Sequence, residues 1–208
     1  MLSMAGRASN TIQVRTHSTV RLPRAQRREQ IVGAAAAAFL TGGYEKTSME
    51  DVARAAGVTR LIVYRIFESK EALYLAVLNA VVDDIAQSFN YGADPERQDS
   101  ESIVALLLAT ARRHPDGFRL LWRHTSNQGE FHEVYRLFEA AATDYAVALI
   151  ADALRDPAMV RWAAETLVSS IYESICLWLD QGDPTRDAQF LRMVTAGTRA
   201  TVQAWTQT

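Results

Sequence analysis

The chain has 208 residues, 49% hydrophobic and 22% charged, with a formal net charge of −2. That balance is ordinary for one or two folded domains and excludes wholesale disorder. A single cysteine, Cys176, excludes an intramolecular disulfide framework and a multi-cysteine zinc site, and 5 prolines with 10 glycines disfavour a turn-rich β-sandwich or a collagenous chain.

No run of about 18 uninterrupted apolar residues occurs, so no membrane-spanning helix and no membrane partner are expected. The first residues lack the apolar core of a secretory signal, which makes the cytoplasm the default compartment. Charge is unevenly spread: residues 1–79 hold 11 Lys/Arg against 6 Asp/Glu, and residues 80–208 hold 11 against 18. A basic first third on an acidic remainder suits a polyanion partner for the front part alone.

Residues 1–22 read as a flexible basic tail, with Arg7, Arg15 and Arg21 and no acidic residue. A disordered leader and an arm that follows a DNA groove both fit. From Pro23 the signals turn helical. Ile31, Ala34, Ala35, Ala38 and Phe39 recur at helical spacing until Gly42-Gly43. Thr47-Ser48-Met49-Glu50 predicts a capping box with Thr47 at the N-cap, opening a short helix that Gly57 ends. Thr59 is placed to cap a third helix through Phe67, and Ser69 a fourth from Lys70 towards Phe89.

Residues 91–99 read as a loop. Helices follow at about 100–113, 115–127 and 130–154. Asp156-Pro157 and Asp183-Pro184 each pair an N-cap with proline at the first helical position, opening helices that run to Gly182 and to about Trp205. The expectation is an all-α chain of about nine helices. A front unit at 23–69 precedes a larger rear unit at 70–208, joined by a connecting helix at about 70–90.

The segment Ser48 to Phe67 reads helix, tight turn, helix. Ala53 is small where two helices approach, Gly57 suits a bend with positive φ, and Val58 can fill the space beneath it. Val63 and Phe67, four apart, share the buried face, which leaves Arg60, Leu61, Tyr64 and Arg65 on the first turns or the outer surface. This is a helix-turn-helix layout, whose second helix presents its N-terminal part to a DNA major groove.

Residues 24–75 resemble the DNA-binding region of the tetracycline-repressor (TetR) family. The likeness rests on Phe39, Gly43-Tyr44, Thr47-Ser48 before Met49-Glu50-Asp51-Val52-Ala53, Ala56-Gly57-Val58-Thr59, Tyr64, Phe67 and Ser69-Lys70-Glu71-Ala72-Leu73. The resemblance implies a ligand-responsive DNA-binding regulator, a repressor in most cases. It would be a homodimer on a palindromic double-stranded operator, released by a small-molecule effector, with no cofactor and no enzymatic activity. It also implies that Arg60, Leu61 and Tyr64 reach base edges while Thr47, Tyr64 and Lys70 touch phosphates.

Physical chemistry supports part of this list. Arginine can bond guanine O6 and N7 together, leucine can cover a thymine methyl, and Lys70 begins a helix whose N-terminus favours an anion. Thr59, Arg65 and, more weakly, Arg27 and Arg28 extend the candidate DNA face. Leu61, Ile62 and Ile66 depart from the family pattern, in which small, hydroxyl and histidine residues are common. Those departures leave open an all-helical enzyme or small-molecule carrier with a vestigial helix-turn-helix.

In the rear unit, apolar residues recur three and four apart along the last two helices. Ile171, Ile175, Trp178, Val194, Gly197 and Val202 are the candidate dimer contacts, with Ala196, Gly197 and Ala200 small enough for close helix approach. Each of these apolar positions also fits one face of a monomer core. Trp122, Tyr145, Trp162 and Tyr172 join an apolar body to a polar tip and are the candidate effector-site residues. His114, His124 and His132 lack metal-ligand spacing, and Cys176 lacks a histidine partner, so neither a metal site nor a catalytic residue is expected.

Overall fold

The computed structural model describes residues 23–91, 100–125, 129, 131–154 and 156–207. The basic tail at 1–22 and most of the loop at 91–99 lie outside them. The α-helices are α1 (Arg24–Gly42), α2 (Met49–Ala55), α3 (Arg60–Ile66), α4 (Lys70–Tyr91), α5 (Ser100–Arg113), α6 (Pro115–Arg119), α7 (His132–Ile150), α8 (Pro157–Gln181) and α9 (Asp187–Trp205). No strand occurs among the described residues.

Helix ends follow local chemistry. Asp156 and Asp183 accept from the Ala158 and Thr185 amides, both at 2.9 Å, so both Asp-Pro pairs act as read. The capping box of α2 sits one residue later than expected. Ser48 Oγ accepts from the Asp51 amide at 3.2 Å, and the Ser48 amide donates to Asp51 Oδ2 at 3.0 Å. Its bonds with Ser48 hold the Asp51 carboxyl below its ordinary range.

The expected helix at 115–127 is α6 followed by a π-helical turn, Leu120–His124. Thr125 Oγ1 donates to the Leu120 carbonyl at 2.9 Å, satisfying an acceptor at the wide turn. Short 3-10 turns, Ala151–Ala153 and Pro184–Arg186, flank α7 and α9.

The front core is Ile31, Ala35, Phe39, Val52, Ala53, Val63 and Phe67, all buried. Each fully buried aliphatic or phenylalanine side chain contributes about 1.5–3 kcal/mol over exposure. The core continues without a break into α4, where Leu73, Tyr74, Val77, Leu78 and Val81 are buried. By length and composition α4 is apolar enough to cross a membrane, contrary to the expectation that no segment is, but it lies against α1, α5 and α6. A Cβ on Gly117 would lie 2.9 Å from Val81 Cγ2, so only glycine lets α6 press this close to α4.

Arginine–carboxylate forks fasten the rear helices. Arg112 grips Asp187 of α9 at 2.7 and 3.1 Å, and Arg113 grips Asp84 of α4 at 2.8 and 3.0 Å. Arg123 of the π turn grips Glu173 at 2.6 and 3.1 Å and shares Asp180 with Arg119. Paired bonds of this kind fix orientation as well as distance.

Candidate nucleic-acid interface and cavity

The α2–α3 turn is built by glycine. Gly57 has φ of 63°, the left-handed region that a Cβ disfavours. The Val58 amide closes the turn on the Ala53 carbonyl at 3.0 Å, and Gln30 Nε2 of α1 holds the Ala56 carbonyl at 2.8 Å. Val63 and Phe67 are buried beneath α3, which fixes the rotation of the helix about its axis.

The opposite side of α3 is bare. Thr59, Arg60, Leu61, Tyr64 and Arg65 are exposed, and Leu61 is 77% exposed. A side chain so exposed contributes little burial to folding. Arg60 lies along the helix over the Tyr64 ring, 5.2 Å from its centroid, and donates to the Tyr64 hydroxyl at 3.3 Å. Glu50 of α2 is 4.0 Å from the Arg60 guanidinium. These contacts are solvent-facing and exchangeable. Arg28 sits over the Phe67 ring at 5.4 Å, and Arg27 is half-buried.

Two expected phosphate contacts point elsewhere. Thr47 is 5% exposed, and its hydroxyl donates to the Gly43 and Ala38 carbonyls at 2.7 and 3.2 Å. A buried hydroxyl takes the nearest acceptor, and here that closes the α1–α2 loop. Lys70 Nζ donates to the Tyr44 carbonyl at 2.9 Å and sits 4.3 Å from the Tyr44 ring centroid. It pins the same loop.

A cavity of about 830 Å³ lies among α4, α5, α7, α8 and α9. Its lining is almost wholly apolar. Of the four residues expected there, Tyr145 and Tyr172 line it, whereas Trp122 and Trp162 do not. Trp122 stacks behind Tyr172 at 5.0 Å, and Trp162 is exposed beside Trp205 at 5.2 Å. Phe89, Leu107, Leu137 and Leu149 complete the walls and were missed. Their one signal was too many apolar residues around α7, leaving Leu137 and Leu149 exposed.

The expected dimer contacts are largely spent inside the protomer. Ile175 is 0% exposed, Ile171 and Val202 line the cavity, and Val194 packs on the core. Trp178 stacks on Phe190 at 5.0 Å and donates to Asp187 at 2.6 Å. Gly197 alone of the six is exposed. The outward stripe of α9 is instead Met193, Ala196, Gly197, Ala200 and Ala204. Among the described residues no three His, Cys, Asp or Glu groups gather as metal ligands.

Residues 31–77 match the profile of bacterial regulatory proteins of the tetR family. The HTH-type transcriptional activator FasR of Mycolicibacterium smegmatis is 29% identical over 169 residues, covering 79% of this chain and 77% of FasR. A tetR-family transcriptional regulator from Streptomyces coelicolor shares the fold with a TM-score of 0.61 at 23% identity, over 88% of this chain and 85% of that one. AibR, solved in complex with isovaleryl coenzyme A and operator DNA, has a TM-score of 0.60 at 20% identity, over 81% of this chain and 96% of AibR. The family profile falls on the same segment that forms the glycine turn and the bare face of α3, and along most of its length the chain is similar to TetR-family transcriptional regulators.

Proposed function

We propose that this regulator is a homodimeric, ligand-responsive repressor working in the cytoplasm. Residues 23–69 form the DNA-binding head, and residues 70–208 form the effector-binding and dimerisation body. Each protomer lays α3 into a major groove, and two heads related by a two-fold axis read a roughly palindromic operator. Thr59, Arg60, Leu61, Tyr64 and Arg65 carry the contact. Arg60 reads a guanine edge, Leu61 covers a thymine methyl, and Tyr64, Arg65 and Thr59 hold backbone phosphates. Thr47 and Lys70 act one step back, by fixing the loop that backs the head.

The observation that carries this reading is the bare face of α3, with its exposed Leu61 beside two arginines. The body bears the cavity, and AibR is a same-fold protein solved with both a small molecule and operator DNA. Aromatic contacts link body to head: the Phe131 ring lies 4.8 Å from Tyr44 of the α1–α2 loop, and the Tyr74 ring 5.0 Å from it. An effector that changes the body's packing can therefore alter head spacing. By linkage, DNA weakens effector binding by the same factor as the effector weakens DNA binding. The dimer seam uses the small-residue stripe of α9 with Thr166, Ser169, Ser170 and Leu177 of α8, all exposed in the protomer.

The test is fluorescence anisotropy with DNA flanking the chain's own coding region, at rising salt. Specific retention with steep salt dependence is expected. Arg60→Ala is expected to weaken it by about 5- to 150-fold, the range of one bidentate base contact, and to relax preference at one base pair. Unchanged affinity and unchanged preference in both Arg60→Ala and Tyr64→Phe reject this readout. FasR is an activator, which favours activation as the second reading; a promoter reporter with and without the regulator decides the sign.

A further inference from the structure

Among the polar residues that line the cavity, one is almost fully buried. Tyr172 of α8 is 4% exposed. Its ring is clamped between Trp122, stacked at 5.0 Å, and Phe118, stacked at 5.5 Å, with Phe138 edge-on at 5.4 Å. The clamp leaves the phenol little freedom to swing elsewhere. Its hydroxyl has no hydrogen-bond partner among the described residues, yet Thr195 Oγ1 is the side-chain atom there that is both sealed and unpaired. Tyr172 lines the cavity. Buried hydroxyls are nearly always hydrogen-bonded. Burial holds this phenol well above its ordinary pKa, so it stays protonated and acts as a donor.

The surroundings decide the remainder of the ligand. Val82, Ile85, Leu107, Ile171 and Phe138 line the same space, and burying a charge among them without a counter-charge is costly. Arg199 also lines the cavity, but it is an exposed residue. We infer that the effector is an uncharged, predominantly apolar molecule that offers one hydrogen-bond acceptor, such as a ketone, ester or ether oxygen, to the Tyr172 hydroxyl. This rests on the effector half of the proposed function and narrows its chemistry.

The experiment is calorimetric titration of the full chain at pH 7.5 with three matched probes. Butyrophenone carries a carbonyl, butylbenzene replaces that carbonyl with a methylene, and 4-phenylbutyrate adds a carboxylate. Butyrophenone is expected to bind about fivefold or more tighter than either, the gain of one net hydrogen bond. Tyr172→Phe is expected to erase the ketone's advantage over butylbenzene while leaving butylbenzene affinity unchanged. Tyr145→Phe, altering the other cavity phenol, is expected to retain the advantage. Equal affinity for ketone and hydrocarbon, tightest binding of the carboxylate, no binding of any probe, or an undiminished preference in Tyr172→Phe overturns the inference. The wild-type series decides even if a variant fails to fold. Operator binding on the same preparation separates the two ideas. Specific DNA retention without ketone preference refutes only the ligand chemistry, and ketone preference without specific DNA retention refutes only the regulator reading.

Discussion

Alanine substitutions at Gly57 and at Gly33 should move stability in opposite directions, although neither added methyl group meets another atom within 4 Å. With sterics absent at both sites, only the backbone distinguishes them. Gly33 is exposed in the interior of α1, where alanine is favoured over glycine by about 1 kcal/mol. Gly57 has φ of 63°, where an L-residue with a Cβ costs about 1–2 kcal/mol. Alanine recovers about 0.4–1 kcal/mol of that by restricting the unfolded chain. The net expectation is a gain of about 1 kcal/mol for Gly33→Ala and a loss of about 1 kcal/mol for Gly57→Ala. That separation is about 30-fold in the folding equilibrium. Urea unfolding of the full chain, followed by circular dichroism, reads both shifts as changes in midpoint at constant slope. Gly57→Ala should also weaken operator binding, because the turn sets the angle of α3 to α2. A Gly57→Ala protein as stable as the parent, or a destabilised Gly33→Ala protein, would refute the reasoning.

Three other outcomes follow from the same geometry. Gly197→Leu, on the exposed stripe of α9, should weaken the proposed dimer at least tenfold by sedimentation while preserving helicity; an unchanged association constant would remove α9 from the seam. Acid should loosen the rear bundle, because the Arg112 fork holds Asp187 below its ordinary 3.8, and Arg123 and Arg119 do the same to Asp180. A depressed folded pKa gives stability that is present above 3.8 and is lost as pH falls through the folded value. Asp187→Asn, which keeps an acceptor for the Trp178 indole, should therefore lower stability at pH 7 and flatten the acid limb; an unaltered limb would contradict the assignment. Cys176 is fully buried, and burial pushes its thiol up to about 12, so at pH 8 Ellman's reagent should label it only after urea is added.

The local features were legible because contiguous residues decide them. Asp156 and Asp183 cap from within two residues of the amides they accept from, and Gly57 marks a left-handed turn without reference to the rest of the chain. The spacing of Val63 and Phe67 determined which side of the seven-residue α3 is buried, and so which side is bare. Even there the capping box slipped by one residue. Thr and Ser are near-equal caps, and what turned Thr47 inward was the pair of carbonyls at Gly43 and Ala38, which only the folded α1–α2 loop supplies.

The sequence by itself determined most of the helices and the helix-turn-helix, since propensity, capping and a 3.6-residue period act within a few residues. Only the tertiary structure decided how the long rear helices rotate about their axes. Ile171, Ile175 and Val202 recur at spacings that suit a protomer core, a cavity wall or a dimer seam equally well. The choice among these belongs to the neighbours: with α5 and α7 packed on α8 and α5 on α9, Ile175 is buried, Ile171 and Val202 line the cavity, and the small residues of α9 are exposed.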